Sequence, residues 1–360
     1  MSPVHTSPVK PAYVRPLDFR DGRIDMGHGA GGRASAQLTR ELFVASFDNE
    51  WLRQGNDQAT FAHLAPGPGP GERIVMTTDA HVVSPLFFPG GDIGSLAVHG
   101  TVNDIAMAGA RPSYLSASFI LEEGLPMADL LRIVESMAAA SRACSAPIVT
   151  GDTKVVERGK GDAVFITTTG IGVVPSGIHI DGAQARPGDV VLLSGTIGEH
   201  GVAIMSQREG LGFDTEIRSD SAALHTLVAD MVAVAPGVRV LRDPTRGGLA
   251  TTLNEIASQS GVGMHIQERA IPVLPQVAAA CELLGLDPLY VANEGKLVAI
   301  CASADAPQLL AAMRAHPLGA AAVCIGEVVD DAHSFVQIET KFGGRRIVDW
   351  LSGEQLPRIC

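Results

Sequence analysis

The chain reads as a two-domain α/β protein, and three observations lead there. It has 360 residues, about two domains at ~150 residues each. Hydrophobic residues make up 46% and charged residues 18%, which supplies sizeable cores and excludes wholesale disorder. Short β-branched runs alternate with longer stretches of helical periodicity, and they do so in both halves.

The elements follow in order. Residues 1–22, rich in proline, are expected to form a disordered arm. A glycine-rich loop, Arg20 to Ala36, leads into a helix from about Ala36 to Phe47. Pro66 to Gly71 alternates Pro and Gly and reads as a loop. Arg73 to Val83 is a strand. Asp92 caps a helix over Ile93 to Ala108, with Leu96, Val102, Ile105 and Ala106 at helical spacing. A strand at Tyr114 to Leu121, a helix at Met127 to Cys144 and strands at Pro147 to Val156 and Ala163 to Val174 complete the first half. A boundary near Asp181 gives domains of 23–180 and 181–349. In the second half, strands begin at Val190, Met264, Lys296 and Ala322. Helices are expected at Glu199 to Arg208, Ser221 to Val234, Gly248 to Ser260, Leu274 to Leu284 and Ala306 to Ala315. A hairpin over Phe335 to Val348 turns at Gly343-Gly344. Residues 350–360 read as a flexible tail.

Composition narrows the function. Lys and Arg number 27 against 39 Asp and Glu, a net charge of −12, which argues against a general nucleic-acid binder. An anionic ligand such as a nucleotide would need a cation or aimed backbone amides. No run of about 18 apolar residues is present, and the N-terminus does not read as a signal peptide, so a cytoplasmic protein is expected. The five cysteines are Cys144, Cys281, Cys301, Cys324 and Cys360. Their odd number and the lack of a C-x-x-C pair argue against a disulfide framework or zinc ribbon.

Four polar motifs interrupt apolar elements. His28-Gly29-Ala30-Gly31-Gly32 is either a phosphate-wrapping loop or a linker. Asp79, Asp92, Asn103-Asp104 and Asp152 lie at strand ends or within the apolar helix, where a carboxylate needs a partner. Several carboxylates with phosphate oxygens suit magnesium, although Asp92 is better explained as a cap. Lys154, two residues after Asp152, either steadies a phosphoryl group or forms a surface ion pair. Asp243-Pro244-Thr245-Arg246-Gly247-Gly248 precedes a helix and is either an anion site made by the helix amides or a plain loop with a cap. Glu294, before an apolar strand, is either a general base or a solvated turn residue. The tail ends Leu356-Pro357-Arg358-Ile359-Cys360. Ten extended residues reach ~30 Å, enough to carry a thiol between an internal site and an outside partner. Prenylation requires a cysteine four residues from the end and is excluded.

These blocks, from His28–Gly32 through Thr77–Gly94, Gly100–Ser116, GDTKVV, DPTRGGLA and NEGKL to the terminal PRIC, resemble the PurM-like ATP-binding superfamily. That superfamily holds aminoimidazole ribonucleotide synthetase, selenophosphate synthetase and thiamine-monophosphate kinase. Within it they are most similar to the HypE family of hydrogenase maturation proteins, from about Ile24 to Cys360. The resemblance implies two α/β domains, the first dimerising through a barrel-like sheet, with ATP near the interface. It implies that a carbamoyltransferase, HypF, loads Cys360. The S-carbamoyl group is then dehydrated with ATP to S-cyano-cysteine, and the cyanide passes to iron on a HypC–HypD scaffold. On this reading Asp79, Asp104 and Asp152 hold magnesium, Lys154 stabilises the phosphorylated oxygen, Glu294 takes the proton and Cys360 is the covalent carrier. His28, Gly29, Gly31, Gly32, Asn103, Asp243, Thr245, Arg246 and Gly247 complete the nucleotide site.

Rival readings predict different sequences. A selenophosphate synthetase-like kinase carries a reactive Cys or selenocysteine in its N-terminal glycine-rich segment, whereas the first cysteine here is Cys144. An aminoimidazole ribonucleotide synthetase has no use for a terminal cysteine. A non-catalytic thiol-bearing scaffold would need neither the aspartates nor the glycine loop, and ATP turnover separates it from the enzymes.

Overall fold

The computed structural model describes residues 16–29, 33–53, 69–210, 216–351 and 358–360. Two sheets organise it. The first contains β1 (Arg73–His81), β2 (Arg111–Glu122), β3 (Ile148–Val156) and β4 (Val164–Val174), in the order β1-β4-β2-β3. Its pairs are antiparallel except β2 with β3. Helices α1 (Ile93–Met107) and α2 (Met127–Ala143) cover one face. Asp92 caps α1 as expected: its Oδ1 accepts from the Gly94 amide at 2.8 Å, and Ser95 closes a capping box. Gly170 and Gly172 on β4 let α1 lie close. A Cβ there would stand 2.6 and 2.4 Å from the Ile105 side chain.

The second sheet has seven strands. They are β5 (Asp189–Leu193), β6 (Val240–Arg242), β7 (Gly263–Gln267), β8 (Val298–Ala302), β9 (Val323–Val329), β10 (Val336–Glu339) and β11 (Arg345–Ile347). Their order is β11-β10-β7-β9-β5-β8-β6. Successive residues of β5 point to opposite faces, and both are buried. Val191 and Leu193 enter a core with Leu253 and Ile256, while Leu192 meets Leu227, Met231 and Leu309. The helices are α3 (Glu199–Arg208), α4 (His225–Val234), α5 (Gly248–Ser260), α6 (Pro275–Leu284) and α7 (Ala306–Ala315). β10 and β11 form the expected hairpin, closed by the Thr340 amide on the Gly344 carbonyl.

Three expectations need correction. Residues 16–22 are not a disordered arm, because Leu17 and Phe19 pack on the first core and the Leu17 amide donates to Glu41. The helix expected from Ser221 begins at His225, since residues before it form a loop that carries Asp220. Strand β6 was not expected. Among the described residues, no helix is long and apolar enough to cross a membrane.

Candidate active site

The site forms where α1 and β1 of the first half meet the loops that precede α5 and β8. Strand alternation puts Thr77, Asp79 and His81 on the face beneath α1, and Asp104 approaches from the helix. Thr77 Oγ1 donates to Asp104 Oδ2 at 2.8 Å, and buried His81 pairs with Asp79 at 3.2 Å. Asp243 follows β6 and leads into α5 through Gly247, whose φ of +77° suits glycine. A cleft of about 800 Å³ opens here, lined by Thr77, Asp104, Arg242, Asp243, Thr245 and Arg246, a volume within the range of small-molecule sites.

Glu294 is 3% exposed, and its Oε1 has no hydrogen-bond partner among the described residues. Asp220 holds its backbone. The amides of Glu294 and Gly295 each donate to the Asp220 carboxylate at 3.1 Å, and Lys296 Nζ does so at 3.0 Å. Asn293 braces the same loop, accepting from the Gly198 amide and donating to the carbonyls of Pro244 and Val291.

Crowded acids perturb one another. Burial pushes the Asp243 carboxyl up to about 7, and the charge of Asp104 adds to this. Burial raises Glu294 well above the usual carboxylate range, with Asp243, Asp220, Asp79 and Asp104 contributing. Asp104 is raised by burial against the opposing Thr77 bond. Burial would raise Asp79 too, but its bond and charge interaction with His81 hold it low. Among the described residues, no three ligating side chains form a ready-made metal site. Asp79 and Asp104 are carboxylates of the kind that could hold an ion completing its shell from phosphate oxygens.

The end of the chain docks into this pocket. Ile359 bridges Val83, the Cys360 carbonyl accepts from the Val82 amide at 3.0 Å, and the Arg358 carbonyl accepts from the Ser84 amide at 3.2 Å. Ile359 is buried in the first core. Burial raises the Cys360 thiol above its usual value. The charges of Glu294 and Asp79 and a hydrogen bond to Glu294 add to this, while Arg246 opposes it. The thiol expected to be the carrier therefore lies beside the expected base rather than on a free tail. Residues 352–357 lie outside the described ones.

Other expected site residues are placed elsewhere. Asp152 and Lys154 pair with each other at 2.7 Å and are largely exposed. Register shows why: Asp152 aligns with Ser118, Thr167 and Ala80, an exposed row on the face of the first sheet opposite α1, which no helix covers among the described residues. Asp79 aligns with Thr168 on the opposite face, so Asp152 cannot complete a metal site with Asp79 and Asp104 of its own chain. Lys154 is likewise remote from Cys360 within the chain. Asn103 is not free for a nucleotide. Its Nδ2 donates to the carbonyls of Ala222 and Glu294, and its Oδ1 accepts from the Leu224 amide at 2.8 Å. It ties α1 to the second half. Asn103→Ala is expected to lower stability by ~2–3 kcal/mol through buried groups left unpaired, checked by urea denaturation. His28 is buried in a short turn ending at Gly29, against β3, and bonds Asp25 rather than the acidic cluster. Gly31 and Gly32 lie outside the described residues.

Sequence reasoning missed His81, His200, Arg208 and Asp220. His81 was detectable, since it alternates with Asp79 on one strand. Asp220 had only a Ser-Asp-Ser segment to mark it.

Comparison with known proteins accords with this arrangement. Residues 55–174 match the family model for the N-terminal domain of AIR synthase related proteins, and residues 186–339 match the model for their C-terminal domain. Carbamoyl dehydratase HypE of Cupriavidus necator is 78% identical over 352 residues, covering 98% of this chain and 99% of the relative. Its Escherichia coli counterpart is 49% identical over 337 residues, covering 94% and 99%. Among solved structures, a hydrogenase maturation protein HypE in complex with ATP superposes with a TM-score of 0.88 at 50% identity, covering 93% of this chain and 99% of that one. A chain of a HypE–HypF complex gives 0.75 at 49%, covering 87% and 99%. Thiamine-monophosphate kinase of Stenotrophomonas maltophilia, 19% identical with a TM-score of 0.57, shares the fold. The chain thus belongs to the AIR synthase-related family and, within it, to the HypE carbamoyl dehydratases of hydrogenase maturation.

Proposed function

We propose that the chain uses ATP to convert an S-carbamoyl group on its own Cys360 into S-cyano-cysteine, the source of cyanide ligands for the [NiFe]-hydrogenase iron. The observation that carries this reading is the half-buried Cys360 thiol beside Glu294, in an acidic pocket that shares Asp243 and Arg246 with the cleft. An amide oxygen leaves poorly until it is phosphorylated. Transfer of the γ-phosphoryl group to the carbamoyl oxygen releases ADP. The C–O bond then breaks, phosphate departs with the oxygen, and the N–H protons leave to form the nitrile. One goes to Glu294 and one to the departing phosphate.

Thr245, Arg246, Gly247 and the start of α5 are proposed to hold the phosphates. Asp79 and Asp104, with Asp243 beside them, would hold magnesium, which when bound offsets phosphate charge. Gly29, next to His28, stays proposed for the nucleotide, as do Gly31 and Gly32, which lie outside the described residues. Asp152 and Lys154 keep a role only toward a site completed by a second copy of the chain. The uncovered sheet face that carries them also exposes Ile74, Met76 and Ile120, which suits a homodimer. A HypF-type carbamoyltransferase as donor, a HypC–HypD scaffold as acceptor and a cytoplasmic setting complete the reading.

Intact-protein mass spectrometry of carbamoyl-loaded protein, before and after Mg-ATP, tests it. Loss of one water from the C-terminal peptide is expected. ATP consumed without that loss overturns the reading. Cys360→Ala is expected to abolish loading and leave ATP binding intact, as measured by the same masses and by calorimetry.

A further inference from the structure

His200, Ile204 and Arg208 stand at i, i+4 and i+8 on α3 and so share one helical face. All three meet the docked tail. His200 Nε2 lies 2.7 Å from the Ile359 carbonyl oxygen. That oxygen only accepts, so Nε2 carries the proton. Nδ1 then accepts from Ser219 Oγ, at 2.7 Å. Burial lowers the His200 pKa and keeps the ring neutral. Arg208 Nη2 donates to the Arg358 carbonyl at 2.8 Å and to the Ser84 carbonyl at 2.7 Å. Between these polar contacts, Ile204 belongs to the same core cluster as Ile359.

We propose that this face of α3 is a latch whose two donors, His200 and Arg208, grip consecutive main-chain carbonyls of the tail and set how long the Cys360 thiol stays beside Glu294. A supporting face would need only apolar contact. Here a fully buried imidazole has its proton committed to a carbonyl of the tail, and withdrawal of the tail strands it. Arg358 also holds a left-handed φ of +53°, which a non-glycine residue keeps only when its surroundings impose it. Arg208, and Asp162 at 2.9 Å from Arg358 Nη1, supply that restraint. The latch extends toward the chemistry, because Ser219 neighbours Asp220, which holds the Glu294 backbone. His200 and Arg208 are positioning residues. The latch itself is read from geometry, and its consequence for turnover rests on the carrier role of Cys360.

The test is the rate of Cys360 alkylation by iodoacetamide in the full-length protein, with exposed Cys324 as internal reference. Arg208→Met and His200→Ala are each expected to raise the Cys360/Cys324 rate ratio roughly tenfold, the size of one lost charged or buried hydrogen bond. His200→Gln, which returns an N–H near Nε2, should restore most of the protection. With preloaded protein, single-turnover dehydration slows by a similar factor while loading does not. An unchanged ratio in Arg208→Met, with its urea midpoint measured alongside, overturns the latch. Alkylation needs no carbamoyl group, so failure to load would sink the carrier reading and leave the latch result standing.

Discussion

Glu294→Gln will accept a carbamoyl group on Cys360 at the parent rate and will fail to dehydrate it. Glutamine keeps the size of the side chain, and the Asp220 bonds to the backbone of residues 294 and 295 do not depend on it, so the pocket survives. What is lost is a proton acceptor, a change that costs ~10²–10⁴ in rate. In the free protein, burial and four neighbouring acids hold Glu294 well above its usual range, which favours the protonated carboxyl over the base form. A cation held by Asp79, Asp104 and Asp243 would offset their charges and lower that pKa, which would ready the base once nucleotide binds. Single-turnover mass measurements check both halves of the prediction. Normal water loss in the variant would remove Glu294 from the mechanism.

The free protein is also expected to lose stability as pH rises from about 4 to about 7. Asp243 titrates near 3.8 when exposed and at about 7 in the fold; Asp104 and Glu294 shift in the same direction. A carboxyl with a raised folded pKa binds its proton more tightly when folded. Its contribution is therefore complete below the unfolded pKa and declines until pH passes the folded pKa. The slope is at most ~1.4 kcal/mol per pH unit for each such group. Asp79 is shifted the other way and opposes this weakly at the acidic end. Asp243→Asn should flatten the profile and raise the urea midpoint above pH 7, while weakening nucleotide binding. That pattern is common where a site is built from mutually repelling groups. A flat profile in the parent, matched by the variant, would mean that Asp243 is already ionised and the acids are not coupled.

Local physics was legible in the sequence, and register was not. The Asp92 cap, the α1 stripe and the terminal hairpin depend on neighbours a few residues apart and were read correctly. β6 spans only Val240–Arg242, too short to show a period. Asp79 and Asp152 both looked like strand-end carboxylates, yet one residue of register puts them on opposite faces of one sheet. Asn103 drew notice as a polar residue in an apolar helix, but its partners, Ala222 and Glu294, are 119 and 191 residues away. The reach of the tail followed from its length. Its berth depends on Val83 and on a helix 150 residues upstream of Arg358, which no local pattern records.

The grip on that tail falls on peptide carbonyls, and this has a thermodynamic consequence. A ligand shifts an equilibrium only through contacts that differ between its states. The carbonyls of Arg358 and Ile359 are the same whether the sulfur bears hydrogen, carbamoyl or cyanide, so α3 holds substrate, intermediate and product with equal strength. Docking therefore cannot drive the cycle forward or sort loaded tails from spent ones. On the proposed function, direction comes from phosphoryl transfer and from what the walls around Sγ, above all Glu294 and Arg246, make of each group the sulfur carries.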